Sequence, residues 1–225
     1  MKSTLYLASA SPRRHALLNQ IGIKHEVLHV PSPPGEDEPK LPTESPLTYV
    51  QRTALDKALR AQQWLVQNNL TSFSAEDSVS ILTADTTVAL GALVLGKPSD
   101  DQEAAQILRL LSGQTHTVLT ALVLSRATSH TMPDEPSSIL AEAIHWERST
   151  ALSITKVSFG ELTDDVINEY IATKEPFGKA GAYGIQGYAA KFILRIEGSY
   201  SGVMGLPLYE TRYASGEHIV PLSDL

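Results

Sequence analysis

Short β-prone apolar runs alternate along this chain with segments whose apolar residues recur at helical spacing, and that interleaving points to the α/β class. Leu5-Tyr6-Leu7-Ala8 reads as a buried strand. It leads into Ser11 as helix N-cap and Pro12 at the first helical position, with Leu17, Leu18 and Ile21 on one face and Gly22 as the stop. From Leu47 to about Asn68, Val50, Ala54, Ala58, Ala61 and Leu65 form one helical stripe, with Lys57 beside it. Residues 79–84 predict a second strand that delivers Asp85 at its end, followed by a hairpin turning at Gly91. Ser99 is expected to cap a helix carrying Ala104, Ile107, Leu108 and Leu111, which Gly113 ends. Further strands are expected over Val118–Leu124, 151–159 and Phe192–Leu194, with a helix capped by Thr163 between the last two. Six prolines between Pro31 and Pro46 mark a loop, residues 127–142 a long hairpin tip, and Val203–Leu208 a final apolar stretch. No repeat or linker divides the chain, so one domain spanning 1–225 is expected.

Composition narrows the function. The net charge is −7, from 18 basic and 25 acidic residues, whereas binders of polymeric nucleic acid carry a basic excess. A small anionic substrate needs only a local cluster of cations. Without cysteine there is neither a disulfide framework nor a thiolate metal site. No segment reaches the ~18 uninterrupted apolar residues of a membrane span, so a cytoplasmic location without membrane attachment is expected.

The residues suited to chemistry lie far apart in sequence. Arg13 and Arg14 stand in the first turn of a helix, where unsatisfied N–H groups and the dipole already favour an anion and guanidinium groups add bidentate donors for phosphate. A lysine flanking a helical stripe, as Lys57 does, is usually a snorkelling surface residue. Lys97, held between Gly96 and Pro98, and Lys179 in a glycine-rich loop have less freedom and are better candidates. Asp85 follows an apolar strand and is followed by the hydroxyls of Thr86 and Thr87. Together with the Glu36-Asp37-Glu38 loop it could hold a hard cation through oxygen ligands. There is no P-loop, Gly-x-Gly-x-x-Gly, Gly-x-Ser-x-Gly or His-Glu-x-x-His pattern.

Seven segments in order carry a resemblance: Ser9-Ala10-Ser11-Pro12-Arg13-Arg14, Ala84-Asp85-Thr86, Gly96-Lys97-Pro98, Ser112-Gly113-Gln114-Thr115-His116, the run from Lys179 to Gly187, Gly198-Ser199-Tyr200 and Gly205-Leu206-Pro207. Over residues 4 to about 211 the chain resembles the Maf family of nucleotide pyrophosphatases, first linked by name to septum formation. The resemblance implies an α/β fold with a central mixed sheet, flanking helices and a cleft between two lobes, similar to the inosine-triphosphate pyrophosphatases, together with frequent homodimers and a divalent cation, Mg²⁺ or Mn²⁺. It implies Asp85 as general base, with metal ligation as its alternative role. Ser9, Arg13, Arg14, Lys57 and Lys97 become the substrate-binding set, and Arg13, Thr86 and Gln186 the base-specificity set. Glu38 and Asp85 become the metal site, Asp37-Glu38 looking most like the family's acidic pair. The Thr after Asp85 and the Gly-Ile-Gln-Gly loop look like the subgroup acting on dTTP and UTP. Two alternatives are pyrophosphate cleavage of modified or methylated purine nucleotides, and a non-catalytic nucleotide-binding regulator of cell division.

Overall fold

The longest apolar stripe in the sequence packs onto the longest paired strands. A computed structural model describes residues 3–32, 38–68, 78–129 and 144–212. The chain runs β1 (Ser3–Leu7), α1 (Pro12–Gln20), β2 (Glu26–Val27), α2 (Pro46–Gln67), β3 (Ser78–Leu90), β4 (Leu93–Leu95), α3 (Asp101–Leu111) and β5 (Thr115–Ser129). It continues through β6 (Ile144–Phe159), α4 (Asp164–Ala172), β7 (Ile193–Glu197), α5 (Tyr200–Met204) and α6 (Leu208–Thr211). The strands form one sheet in the order β2-β1-β3-β5-β6-β7, with β4 paired to β3. The pairs β1–β2 and β1–β3 are parallel and the remainder antiparallel, so the sheet is mixed.

Side-chain alternation on β3 sends its residues to two different layers. Val79 and Ile81 pack with Ala61 and Leu65 of α2, and Ala89 with Val50, Ala54 and Ala58. All five stripe residues of α2 are fully buried, and their small side chains let the helix lie close on the sheet. Leu82 and Ala84, on the opposite face, pack with Leu17 and Leu18 of α1. Ser45 caps α2 by accepting from Thr48 N–H at 3.1 Å, and Thr163 caps α4.

Two sequence expectations are corrected. Asp85 does not end a strand; it sits in the middle of β3, because the β-prone residues that follow continue the ladder with β5 as far as Ala89↔Thr117. The hairpin at Gly91 comes after that, its φ of +59° supplying the turn. The cap of α3 is Asp100, which accepts from Glu103 N–H at 2.8 Å, while the N–H and hydroxyl of Ser99 both donate to the Glu103 carboxylate. The apolar stretch 203–208 is no single element, since Gly205 (φ +118°) turns the chain between α5 and α6. Of the expected hairpin tip 127–142, residues 127–129 continue β5 and 130–142 lie outside the described residues, as does most of the connection after α2, 69–77. Among the described residues no helix is long and apolar enough to cross a membrane.

His116 shows what the second half of the core tolerates. It is 1% exposed on β5, between Phe159 and Tyr183 at ring distances of 5.1 and 5.4 Å, with its Nε2 2.8 Å from the Tyr183 hydroxyl. Burial pushes its pKa from 6.5 down to about 4, so the folded protein holds it neutral while the unfolded chain takes up a proton. Stability from this group is therefore full above pH 6.5 and is lost as pH falls towards 4, by on the order of 3 kcal/mol. Urea midpoints measured across this window should fall more steeply with acid for the wild type than for His116→Gln. Parallel curves for the two proteins would contradict a buried, neutral His116.

Candidate active site

Pairing of β1 with β3 stops at Leu7↔Leu82, and β4 begins pairing only at Val88↔Leu95. The stretch of β3 from Thr83 to Thr87 thus lies between two partners on that edge. The gap opens a cleft of about 620 Å³, lined by residues of the β1–α1 turn, the segment after β2, α2, β3 and the loops near Lys97, Lys179 and Met204. Because β3 alternates, Asp85 points to the α2 side and Thr86 to the α1 side, yet both line this cleft.

On the α2 side Asp85 is 4% exposed, and both of its carboxylate oxygens are hydrogen-bonded. Lys57 Nζ donates to Oδ1 at 2.6 Å, and Oδ2 accepts from Thr53 Oγ1 at 2.8 Å and Thr87 Oγ1 at 3.4 Å. Lys57 also pairs with Glu38, so one ammonium joins two carboxylates from different segments. Burial opposes the charge on Asp85, but the Lys57 ammonium, the more distant Arg14 and the Thr53 hydrogen bond outweigh it and hold the carboxyl below the usual aspartate range.

On the α1 side Arg14 spends its guanidinium on the protein. Nε donates to Gly205 O at 2.8 Å, Nη1 to Ser9 Oγ at 3.1 Å and Nη2 to Thr86 Oγ1 at 3.2 Å. Ser9 Oγ also accepts from Ser11 N–H at 3.2 Å, which organises the turn into α1; Ser11 itself makes no side-chain cap. Arg13 donates Nε to Met204 O at 3.3 Å. Burial pushes both guanidinium groups below the usual arginine value, opposed at Arg14 by Asp85 and Glu38, and both remain cationic.

The structure brings Ser9, Arg13, Arg14, Glu38, Lys57, Asp85, Thr86 and Lys97 to one cleft. Glu36 and Asp37 lie outside the described residues. Gln186 is exposed and is not among the cleft-lining residues; it neighbours Lys179, which is, across Gly184. Sequence reasoning missed Thr53, Arg60 and Thr120. The first two had a signal, since Thr53 and Arg60 stand four and three residues from Lys57 on α2 and so share its face. Thr120 had none, because only the β3–β5 register sets it opposite Thr86. The lining holds six cationic side chains, Arg13, Arg14, Lys57, Arg60, Lys97 and Lys179, against the two carboxylates Glu38 and Asp85. In a chain of net charge −7, that is a local site for a polyanion.

Comparison with known proteins finds relatives that match most of the chain. A dTTP/UTP pyrophosphatase of Bordetella avium is 50% identical over 208 residues, covering 92% of this chain and 91% of its own. One of Cupriavidus metallidurans is 45% identical over 215 residues, covering 94% of each. The crystal structure of a nucleoside-triphosphatase (dITP/XTP pyrophosphatase) of Mycobacterium abscessus aligns over 71% of this chain and 75% of its own at 14% identity, with a TM-score of 0.34, too loose a likeness to bear on the fold. A family model described as Maf-like protein matches residues 4–215, and the chain belongs to that family.

Proposed function

We propose that this protein hydrolyses nucleoside triphosphates, dTTP and UTP foremost, to the nucleoside monophosphate and diphosphate. The observation that carries this is the convergence of six cations on a cleft whose buried carboxylate, Asp85, is held in one orientation by Lys57 and Thr53. Hydrolysis at a phosphoric anhydride needs charge neutralised on several phosphate oxygens, an oriented water and an acceptor for its proton. Arg13, Lys97 and Lys179 supply the first. Asp85 supplies the last, as an oriented but weakly basic acceptor. Lys57 holds Asp85 and Glu38 together and contributes positive charge at the same point.

The donor chemistry fits a divalent cation. Glu38 and Asp85 are carboxylates from separate segments brought onto one ammonium, and hard cations such as Mg²⁺ or Mn²⁺ take such oxygens together with waters and substrate phosphates. Bound there, the cation would neutralise phosphate charge and lower the pKa of a coordinated water. Base selection is assigned to Arg13 and Thr86 within the cleft, with Gln186 acting from the loop beside Lys179; its amide offers a donor and an acceptor to a uracil or thymine edge.

The decisive assay is purified protein with Mg²⁺ or Mn²⁺ against a panel of triphosphates, following diphosphate and orthophosphate separately. Diphosphate with monophosphate is the expected product pair, and release of orthophosphate alone would exclude the reaction. Asp85→Asn should lower kcat about a hundredfold or more with the fold intact, and a loss within about tenfold would remove Asp85 from the chemistry. EDTA should stop turnover and either metal restore it; full activity in a verified metal-free preparation would refute the cation. Gln186→Ala should lower kcat/KM for dTTP and UTP by about one to two decades more than for other triphosphates. Equal losses across bases would make it a loop support.

A further inference from the structure

Thr120 has a consequence for base selection that depends on the assignment of Thr86 to the base. It is fully buried on β5, directly opposite Thr86 in the register. Its Oγ1 lies 2.8 Å from Gly202 O and 3.0 Å from Thr86 Oγ1. A carbonyl oxygen only accepts, and two oxygens at 2.8 Å with no proton between them repel. The single proton of Thr120 is therefore directed at Gly202 O, and in the threonine pair Thr86 has to be the donor. On its other side Thr86 Oγ1 receives Arg14 Nη2 at 3.2 Å, and a guanidinium has no acceptor to offer. The proton of Thr86 is thus committed inward. What remains for a molecule in the cleft is one lone pair.

We infer that Thr120 is a positioning residue that fixes Thr86 as a hydrogen-bond acceptor, so that the site selects a base presenting a donor to it. Uracil and thymine carry an imide N3–H. Cytosine carries an unprotonated N3, an acceptor, and two acceptors facing each other leave a polar group unpaired. A threonine free to rotate would serve both rings, because its hydroxyl can donate or accept. Arg14 contributes to the lock as well as to the charge, since its donor closes a second direction to the Thr86 proton and leaves it only Thr120 or the cleft.

The test compares kcat/KM for UTP and CTP, which share sugar and triphosphate, in the wild type, Thr120→Val and Thr120→Ser. Valine keeps the shape of threonine and removes the acceptor that holds the Thr86 proton. The wild type should prefer UTP, Thr120→Val should reduce the UTP to CTP ratio about three- to tenfold, and Thr120→Ser should keep it. A ratio unchanged in Thr120→Val, or equal losses on both substrates, overturns the role of Thr120. A wild type with no preference for UTP over CTP overturns the assignment of Thr86 to the base, before any variant is made. If Thr120→Val does not fold, the wild type with 3-deazauridine triphosphate, where C–H replaces N3–H, carries the test. It should be used much less well than UTP, and parity with UTP overturns the inference.

Discussion

A carboxylate in the middle of a sheet strand is the constraint around which this molecule is arranged. Asp85 is buried on β3 with paired strand on both sides in sequence, and a lone charge there would cost several kcal/mol. Its hydrogen bonds from outside β3 come from one helix. Thr53 and Lys57, one turn apart on α2, reach its two oxygens, and Lys57 carries Glu38 with it. The helix can come so near because it meets the sheet through Val50, Ala54, Ala58 and Ala61, mostly alanines. The small residues of the stripe and the polar residues beside it serve one end: the first set the approach, and the second use it.

The same strand serves two layers because its edge is incomplete. Between the end of β1 pairing at Leu82 and the start of β4 pairing at Val88, β3 has room for a cleft where a neighbouring strand would otherwise run. Alternation then gives adjacent residues separate tasks. Asp85 joins the Lys57–Glu38 cluster on the α2 face, while Thr86 joins Arg14 and the turn at Gly205 on the α1 face. A shift of one residue in the β3–β5 register would exchange these faces and put a carboxylate against Arg14, without Thr53 or Lys57 to hold it. The long hairpin β5–β6, paired from Thr115↔Ser158 to Ser129↔Ile144, backs the register against such slippage.

The α/β class was legible from alternating patterns, and so was the buried stripe of α2; the mixed character of the sheet came only with the family resemblance. Most of the cleft was legible only through the family resemblance, since Ser9, Lys57, Asp85 and Lys97 come from four separate segments and nothing local says that they meet. The reading of Asp85 as a strand end failed for an identifiable reason. An acidic residue after an apolar run looks like a boundary, and only tertiary compensation by Lys57 and Thr53 lets the strand continue through it. Thr120 was beyond reach for a different reason. On β5 it is one of several alternating residues, and its part in the site is set wholly by cross-strand register.

The two adjacent arginines divide into unlike roles on the same grounds. Arg14 directs Nε, Nη1 and Nη2 to Gly205, Ser9 and Thr86, so it ties together the turn before α1, the middle of β3 and the turn after α5. Its charge acts on the cleft at a distance, as its influence on Asp85 shows, but reaching for a phosphate would break bonds it already has. Arg13, which commits only Nε among the described residues, to Met204 O, keeps its outer nitrogens for a ligand. Lys97, exposed on the rim after the β4 hairpin, likewise makes no ion pair or hydrogen bond among the described residues, and Lys179, which donates to Glu175 O, lies near enough to Arg13 for the guanidinium to disfavour its charge. The repulsion between Arg13 and Lys179, which Glu175 opposes from the protein side, is further removed when a polyanion enters between them. Binding of a triphosphate therefore relieves a strain that the folded protein carries, and that relief favours the substrate with the most phosphate charge over its monophosphate product.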